Sequence, residues 1–180
     1  FGKAILKILD EFNDWKAVVY GDEPREDISF NHKNLMINGY TKHQIILNFL
    51  KKVSISVVCS RWEEPFGRTS LEASSRGCAV IISDRGGLPE TISNGIILTK
   101  LNSRELFKEI ERLIINKNEL LRIQKKTLSN FYLTDNLITK KIDDYRSSLS
   151  FNSQPNYILK KQKKLKILHI TNFNERHNGR

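Results

Sequence analysis

The sequence is poor in the residues that build disulfide frameworks and metal sites. It holds two cysteines and four histidines in 180 residues, and their positions match no metal-binding spacing. Cys59 and Cys78 both lie within apolar, strand-like stretches, which is typical of buried free thiols in a reducing compartment. We therefore predict neither a disulfide framework nor a metal centre.

Long apolar runs are also missing. No stretch approaches the roughly 18 residues that a membrane-spanning helix needs. The hydrophobic share of 39% and the charged share of 28% suit a soluble globular protein. The first residue is Phe1 rather than Met, from which we expect the chain to be a fragment of a longer one.

Positive charge is abundant but unevenly placed. The net charge is +10, of which residues 151–180 contribute +6 (seven Lys/Arg, one Glu) and residues 1–150 only +4 (23 Lys/Arg, 19 Asp/Glu). Five of the tail's cations lie in KKQKKLK, residues 160–166. We interpret this run first as a solvated linker, then as a contact with anionic lipids, and last as a nucleic-acid contact.

Predicted helices and strands alternate along most of the chain. Apolar periodicity predicts strands at 16–20, 35–40, 55–60, 78–83 and 95–99, and helices at 3–14, 43–52, 67–76, 103–115, 117–130 and 134–148. Thr41 is expected to cap the second helix and Gly77 to end the third. The order favours an α/β fold, a Rossmann-like parallel sheet with helices on both faces and the 55–60 strand buried on both sides.

The character of the chain changes after residue 148. Residues 149–164 are polar and then basic, and we predict a linker there. Residues 165–180 contain a strand-like stretch followed by a loop with a glycine. This segment either begins a second α/β domain or adds a strand to the edge of the first sheet, so residues 1–148 form the predicted first domain.

Four polar loops follow predicted strands: YGDEP, GYTKH, EEPFG and DRGGLPE. Because ligands of parallel sheets bind at the carboxyl ends of the strands, these loops are expected to line one site. In EEPFGRTSLE, Gly67 permits close backbone approach, and the helix start after it offers unpaired N–H groups that suit a phosphate. Glu72 lies about one turn into that helix, where it can accept hydrogen bonds from ribose hydroxyls, and Glu64 faces a second polar group.

The stretch SRWEEPFGRTSLEASSRGCAVIISDRGGLPE resembles the C-terminal-domain signature of retaining glycosyltransferases of the family 4 type. The E-x7-E spacing of this signature is formed by Glu64 and Glu72. Ser75 and Ala79 are small departures from the residue types of the signature. The other positions on the pattern are Ser60, Phe66, Gly67, Leu71, Ala73, Gly77, Val80, Ser83, Gly86, Gly87, Pro89 and Glu90. The resemblance covers about residues 16 to 145 and implies the C-terminal, donor-binding half of a GT-B fold.

The resemblance also implies roles. Glu64 would be the catalytic residue beside the transferred sugar, and Glu72 would hold the ribose of a nucleotide-diphosphate sugar, of the UDP or GDP type. The remaining donor-binding residues that it implies are Gly21, Gly39, Tyr40, Phe66, Gly67, Arg68, Thr69 and Leu71. Asp22 and Glu23 depart from the glycine turn of the family.

The resemblance implies a reaction without a metal, and several partners. The acceptor would be a sugar or lipid-linked sugar, and an N-terminal domain of the same protein would bind it. Phe1-Gly2-Lys3 does not match the cationic segment that clamps the diphosphate, so we expect this piece alone to be inactive. The implied localisation is the cytoplasm, with peripheral contact at the inner face of the membrane. No nucleic-acid partner is expected.

Alternatives remain at this stage. The chain could be another nucleotide-sugar enzyme of the same architecture, of epimerase or phosphorylase type, or a basic nucleic-acid-binding module. Arg68 is either a donor contact or an ion-pair partner of Glu72, and Tyr40 either stacks on a base or packs on the protein. The segment 85–87 is a simple turn or a cleft loop. His43 is expected to be a helix-surface residue, and Trp15 to lie in the core or at its edge.

Overall fold

The computed structural model describes residues 1–21 and 30–149. The chain divides into two compact units, Phe1–Lys141 and Ile142–Arg180, and within the second unit residues 142–149 are described. The predicted linker beyond residue 149 and the strand within 165–180 lie outside the described residues. The predicted domain boundary therefore stays a prediction.

The described residues contain six α-helices and five strands, and helices and strands alternate from β2 to β4. The helices are α1 (Gly2–Glu11), α2 (His43–Leu50), α3 (Arg68–Ser74), α4 (Ser103–Ile115), α5 (Lys117–Ser129) and α6 (Asp135–Ser148). The strands are β1 (Ala17–Tyr20), β2 (Leu35–Asn38), β3 (Ile55–Val58), β4 (Ala79–Ser83) and β5 (Ile96–Leu98). A short 3₁₀ helix, Leu88–Thr91, follows β4.

All strand pairs are parallel, as predicted, but the strands form two sheets. β1 pairs with β2, while β3, β4 and β5 form a second sheet with β4 in the centre. Every residue of β4 is buried. The expectation that the 55–60 stretch is buried on both faces was wrong, because β3 is an edge strand of its sheet and its four residues are only half-buried.

Helices cover both faces of β4, which confirms the predicted α/β class. Successive side chains of a strand point to opposite faces. Ala79 and Ile81 accordingly join a core cluster with α1, α4 and α5. Val80 and Ile82 join a second cluster with residues of α2, α3 and the 3₁₀ helix. Trp15 packs at the margin of the first cluster, as expected.

Two predicted helix ends have different outcomes. Gly77 ends α3 as predicted: its φ is 76°, its N–H donates to the Ser74 carbonyl (3.0 Å), and the Cys78 N–H donates to the Ala73 carbonyl (3.2 Å). Thr41 does not cap α2, because its hydroxyl donates instead to the Gly39 carbonyl at 3.3 Å.

The described part of the chain contains no helix that is both long and apolar enough to cross a bilayer.

Both cysteines are free thiols, one buried and one half-buried. Cys78 is buried and its Sγ donates to the Leu50 carbonyl at 3.3 Å, while Cys59 lies half-buried beside the first core cluster. Burial raises the pKa of Cys59 and the pKa of Cys78 to about 11. The thiolate, which is the reactive form, is therefore scarce at neutral pH.

We predict slow alkylation of both cysteines in the folded protein. At pH 8 a thiol with an ordinary pKa is about a quarter thiolate, whereas a pKa of about 11 leaves roughly one thiolate in a thousand. Iodoacetamide labelling followed by mass spectrometry should be at least about 100-fold slower without urea than in denaturing urea. Equal rates in the two conditions would contradict the burial of these thiols.

The packing of α4 predicts a large effect of one leucine and a small effect of another. Leu113 is 0% exposed in the first core cluster, and Leu121 on the neighbouring helix α5 is 52% exposed. Leu113→Ala should lower the free energy of unfolding by about 2–5 kcal/mol, because it opens a cavity. Leu121→Ala, with the same change in helix propensity, should cost less than about 1 kcal/mol. Urea denaturation measures both, and equal losses would argue against this core.

Candidate functional site

The loops at the carboxyl ends of the strands meet in pairs. After β1 and β2, the Gly21 N–H donates to the Gly39 carbonyl at 3.4 Å. After β3 and β4, the Gly87 N–H donates to the Glu64 carbonyl at 2.6 Å. The predicted meeting of loops is thus observed within each pair, and residues 22–24 of the first loop lie outside the described residues.

Glu63 joins the loops after β3 and β4. One carboxylate oxygen accepts a hydrogen bond from the Gly86 N–H at 2.5 Å, and the other lies 3.4 Å from an Arg85 guanidinium nitrogen. No role is predicted for Glu63 from the sequence. The E-x7-E spacing begins at its neighbour Glu64. The partner of Glu63, Gly86, lies 23 residues away in the chain.

Gly86 and Gly87 are glycines because the backbone of the Glu64 loop lies against them. Gly86 has a φ of 52°, and a Cβ there would overlap the Glu64 carbonyl oxygen. A Cβ on Gly87 would lie 2.7 Å from the Pro65 carbonyl oxygen. The glycine pair is therefore a close-packed support of the loop that follows β3, rather than a simple turn.

Buried hydroxyl groups fix the position of the turn that precedes α3. Gly67, with a φ of 89°, precedes the helix, and the Leu71 N–H is the first to donate back to it, at 3.3 Å. The buried Ser70 hydroxyl donates to the Gly67 carbonyl at 2.7 Å and lies 2.5 Å from the Thr91 hydroxyl of the 3₁₀ helix. Thr91 in turn donates to the Leu88 carbonyl at 2.7 Å. The turn before α3 thus has a defined position relative to the loop after β4.

A second hydroxyl fixes the end of β3. The Ser83 Oγ accepts from the Ser60 N–H at 2.9 Å and donates to the Ser60 carbonyl at 3.0 Å. Ser83 is 1% exposed at the end of β4. The segment that leads into Glu63 and Glu64 therefore starts from a fixed point.

The three acids of the motif have different surroundings. Glu63 bonds to the loop after β4, and Glu72 contacts a histidine and an arginine. Within residues 1–21 and 30–149, no donor hydrogen-bonds or ion-pairs with the Glu64 carboxylate, although the Glu64 backbone is held by Gly87. Glu64 is half-buried. Its carboxylate is consequently available to a ligand.

Glu72 contacts a histidine from another helix. Its Oε1 lies 2.9 Å from His43 Nε2, at the start of α2, and 3.7 Å from an Arg68 guanidinium nitrogen. His43 is an exposed helix-surface residue, as expected, with a side chain that is 55% exposed, and it also makes this contact. Arg68 is an i,i+4 ion-pair partner of Glu72, one of the two alternatives left open.

Aromatic side chains lie exposed on the loops at this edge. Tyr40 is 87% exposed, Trp62 is 76% exposed and Phe66 is 43% exposed. Tyr40 therefore does not pack on the protein. Thr69 and Leu71 lie on α3 with Glu72.

No group of three or more His, Cys, Asp or Glu side chains in the described ranges is arranged to hold a metal ion.

Comparison with known families gives one match. The family described as "Glycosyl transferases group 1" matches residues 3–129. This range contains the whole stretch that carries the resemblance, and the resemblance is confirmed.

Curated relatives match at moderate identity. An uncharacterized glycosyltransferase of Methanocaldococcus jannaschii is 26% identical over 161 residues, which are 82% of this chain and 40% of that protein. The lipopolysaccharide core biosynthesis mannosyltransferase LpcC of Rhizobium leguminosarum is 30% identical over 105 residues, or 53% of this chain and 30% of that protein. The chain thus spans less than half the length of these relatives.

Solved structures share the fold. The C-terminal domain of a group 1 glycosyl transferase (LpcC) from Francisella tularensis has a TM-score of 0.63 and 25% identity over 79% of this chain and 77% of that one. Anabaena HepE in complex with UDP has a TM-score of 0.67 and 20% identity over 82% and 45%. A putative UDP-N-acetylglucosamine 2-epimerase from Listeria monocytogenes has a TM-score of 0.58 and 20% identity over 81% and 40%.

The contact between the two loops predicts that a single methyl group disturbs the site. Gly87→Ala should cost about 1–3 kcal/mol in the free energy of unfolding, because the new Cβ meets backbone atoms that cannot rotate away. Gly39→Ala is the matched control, since a Cβ there has nothing within 4 Å. Its effect should stay within about 0.5 kcal/mol. Chemical denaturation tests both variants, and a tolerated Gly87→Ala would contradict the close packing of these loops.

Proposed function

This chain belongs to the group 1 glycosyltransferases, and we propose that it forms the donor-binding domain of a retaining enzyme that uses a nucleotide-diphosphate sugar. The observation that carries the proposal is the contrast between two acids. Glu64 has a fixed backbone and a carboxylate without a partner in the described residues, while Glu72, on the adjoining helix, is held by His43.

Glu72 suits a ribose. Among residues 1–21 and 30–149, both contacts of its carboxylate are made through Oε1, so Oε2 is left to accept a hydrogen bond from a hydroxyl group. Its side chain is 20% exposed, which keeps it accessible to a ligand while competing water is reduced. A hydrogen bond from a ribose hydroxyl to this carboxylate would be strong, because the acceptor is charged.

The turn before α3 suits the sugar and the diphosphate. We assign the backbone of Phe66, Gly67 and Arg68 to these groups, since the first N–H groups of a helix have no intrahelical partner. The remaining proposed donor contacts are Thr69, Leu71, Gly39, Tyr40 and Gly21. The exposed ring of Tyr40 is free to stack on a base.

Glu64 is the proposed catalytic residue. In the transfer, the bond between the anomeric carbon and the diphosphate oxygen breaks, the acceptor oxygen forms the new bond on the same face, and the proton of the acceptor hydroxyl passes to the departing diphosphate. Glu64 either attacks the anomeric carbon as a nucleophile or stabilises the positive charge that develops there. The family resemblance implies that no metal takes part.

The wider setting is also a proposal. The mannosyltransferase relative makes a hexose donor and an acceptor in glycoconjugate synthesis reasonable. A lipid-linked or free sugar acceptor would be bound by an N-terminal domain of the same protein, and the work would take place in the cytoplasm or at the inner membrane face. The cations that neutralise the diphosphate would come from outside the described residues.

A second candidate is an epimerase of the same architecture, favoured by the likeness to the Listeria protein. An epimerase alters the sugar of the nucleotide sugar in the absence of an acceptor, whereas a transferase leaves the sugar unchanged and moves it. Incubation of the full-length protein with UDP-N-acetylglucosamine alone, followed by NMR of the products, separates the two. An altered sugar would overturn the transferase proposal.

The proposal predicts nucleotide-dependent stabilisation of the full-length protein. UDP or GDP at about 100 times its Kd should stabilise the fold by about 2.7 kcal/mol, which is a rise of several degrees in Tm. Glu72→Ala should remove this rise, because the ribose loses its acceptor. A thermal-shift titration measures the effect.

The control for that variant is Glu111→Ala, which changes another half-buried helical glutamate, on α4. It should leave the nucleotide-dependent rise intact. If neither nucleotide raises the Tm of the unmodified protein, the proposed function is wrong. If Glu72→Ala retains the rise, the assignment of Glu72 to the ribose is wrong.

A further inference from the structure

We propose that His43 is a positioning residue for donor binding: it holds the Glu72 carboxylate in the orientation that accepts the ribose. The inference rests on the proposed function, and it adds a residue from α2 to a site that the motif places on α3. His43 is 29 residues from Glu72 in the chain, so the spacing of the motif gives no indication of it.

The geometry is that of a hydrogen bond with a defined direction. His43 Nε2 and Glu72 Oε1 are 2.9 Å apart, well within the range for N–H···O bonds. A carboxylate only accepts, so the His43 ring must carry its proton on Nε2. This requirement is met by the neutral ring as well as by the charged one, and the contact does not need a protonated histidine.

Of the two neighbours of Glu72, His43 is the stronger anchor. The Arg68 nitrogen is 3.7 Å from Oε1, and the Arg68 side chain is 77% exposed. Exposed i,i+4 ion pairs contribute little and are screened by salt. His43 is closer and comes from a different helix, so it fixes the carboxylate relative to the fold rather than relative to its own helix.

The contact with His43 preorganises the Glu72 side chain for ligand binding. A glutamate side chain that is free to rotate loses conformational entropy when it binds a ligand. The His43 contact restricts Glu72 before the nucleotide arrives and, by occupying Oε1, leaves Oε2 for the ribose. Loss of His43 should therefore weaken binding only for nucleotides whose ribose hydroxyls use Glu72.

The experiment compares four variants of the full-length protein by calorimetric titration. The ligands are UDP and 2′,3′-dideoxy-UDP, or the guanine pair if GDP is the nucleotide that binds. His43→Ala and His43→Asn should weaken binding of the ribonucleotide by about tenfold, the size of one net hydrogen bond, and should leave the dideoxy compound unchanged. His43→Gln should stay within about twofold of the unmodified protein, because its amide reaches the position of Nε2 and donates.

His43→Asn and His43→Gln form the matched pair, since they differ by one methylene, and the amide of asparagine falls short of Glu72. Gln44→Ala, at the next and exposed position of α2, is the control and should change neither affinity. In steady-state assays the positioning role predicts a raised donor KM with an unchanged kcat for His43→Asn. If His43→Ala fails to fold, the asparagine and glutamine variants carry the comparison.

Each result of these measurements either supports the inference about His43 or overturns it. Equal weakening of both nucleotides by His43→Asn would show that His43 acts on the fold, the base or the phosphates, and would overturn the inference while leaving the proposed function standing. Unchanged affinity in His43→Asn would overturn it in the same way. If the unmodified protein binds neither UDP nor GDP, the proposed function fails and this inference fails with it.

Discussion

The site depends on the contact between the loop after β3 and the loop after β4. The Gly87 N–H donates to the Glu64 carbonyl at 2.6 Å, and the Glu63 carboxylate accepts from the Gly86 N–H at 2.5 Å. The first bond is made by the Glu64 carbonyl and the second by the side chain of its neighbour Glu63. Neither bond involves the Glu64 carboxylate. A glycine pair is needed because any Cβ at these positions meets backbone atoms of the opposing loop. The proposed catalytic carboxylate is thus positioned by contacts to its neighbours.

The contact between these loops is possible because β4 is buried on both faces. Its alternate side chains pack into two separate core clusters, so the strand is held by helices on either side and its end has little freedom. Ser83, the last residue of β4, makes two hydrogen bonds with the backbone of Ser60, and these bonds fix the segment that follows β3. Between α3 and the 3₁₀ helix, the Ser70 and Thr91 hydroxyls lie 2.5 Å apart, and each donates to a carbonyl near its own helix. Buried hydroxyl groups of Ser83, Ser70 and Thr91, rather than surface ion pairs, connect the core to the site.

Local patterns were sufficient for the elements and for the motif, but not for contacts between distant segments. The strand β4 contains three consecutive β-branched residues, and the end of α3 is signalled by Gly77, so both could be predicted from neighbouring residues. The roles of Glu63 and His43 could not, because each depends on a partner more than 20 residues away. The half-buried state of β3 was missed for the same reason: an edge strand and a central strand can have the same sequence character.

The different treatment of the two motif acids has a physical logic. An acid that binds the ribose should be ordered before the ligand arrives, since any freedom that it loses on binding reduces affinity; Glu72 has this order through His43. An acid that acts at the anomeric carbon should interact most strongly when positive charge develops there, so a strong partner in the free protein would lower its effect in the transition state. Glu64, with a fixed backbone and no partner for its carboxylate among the described residues, meets that condition.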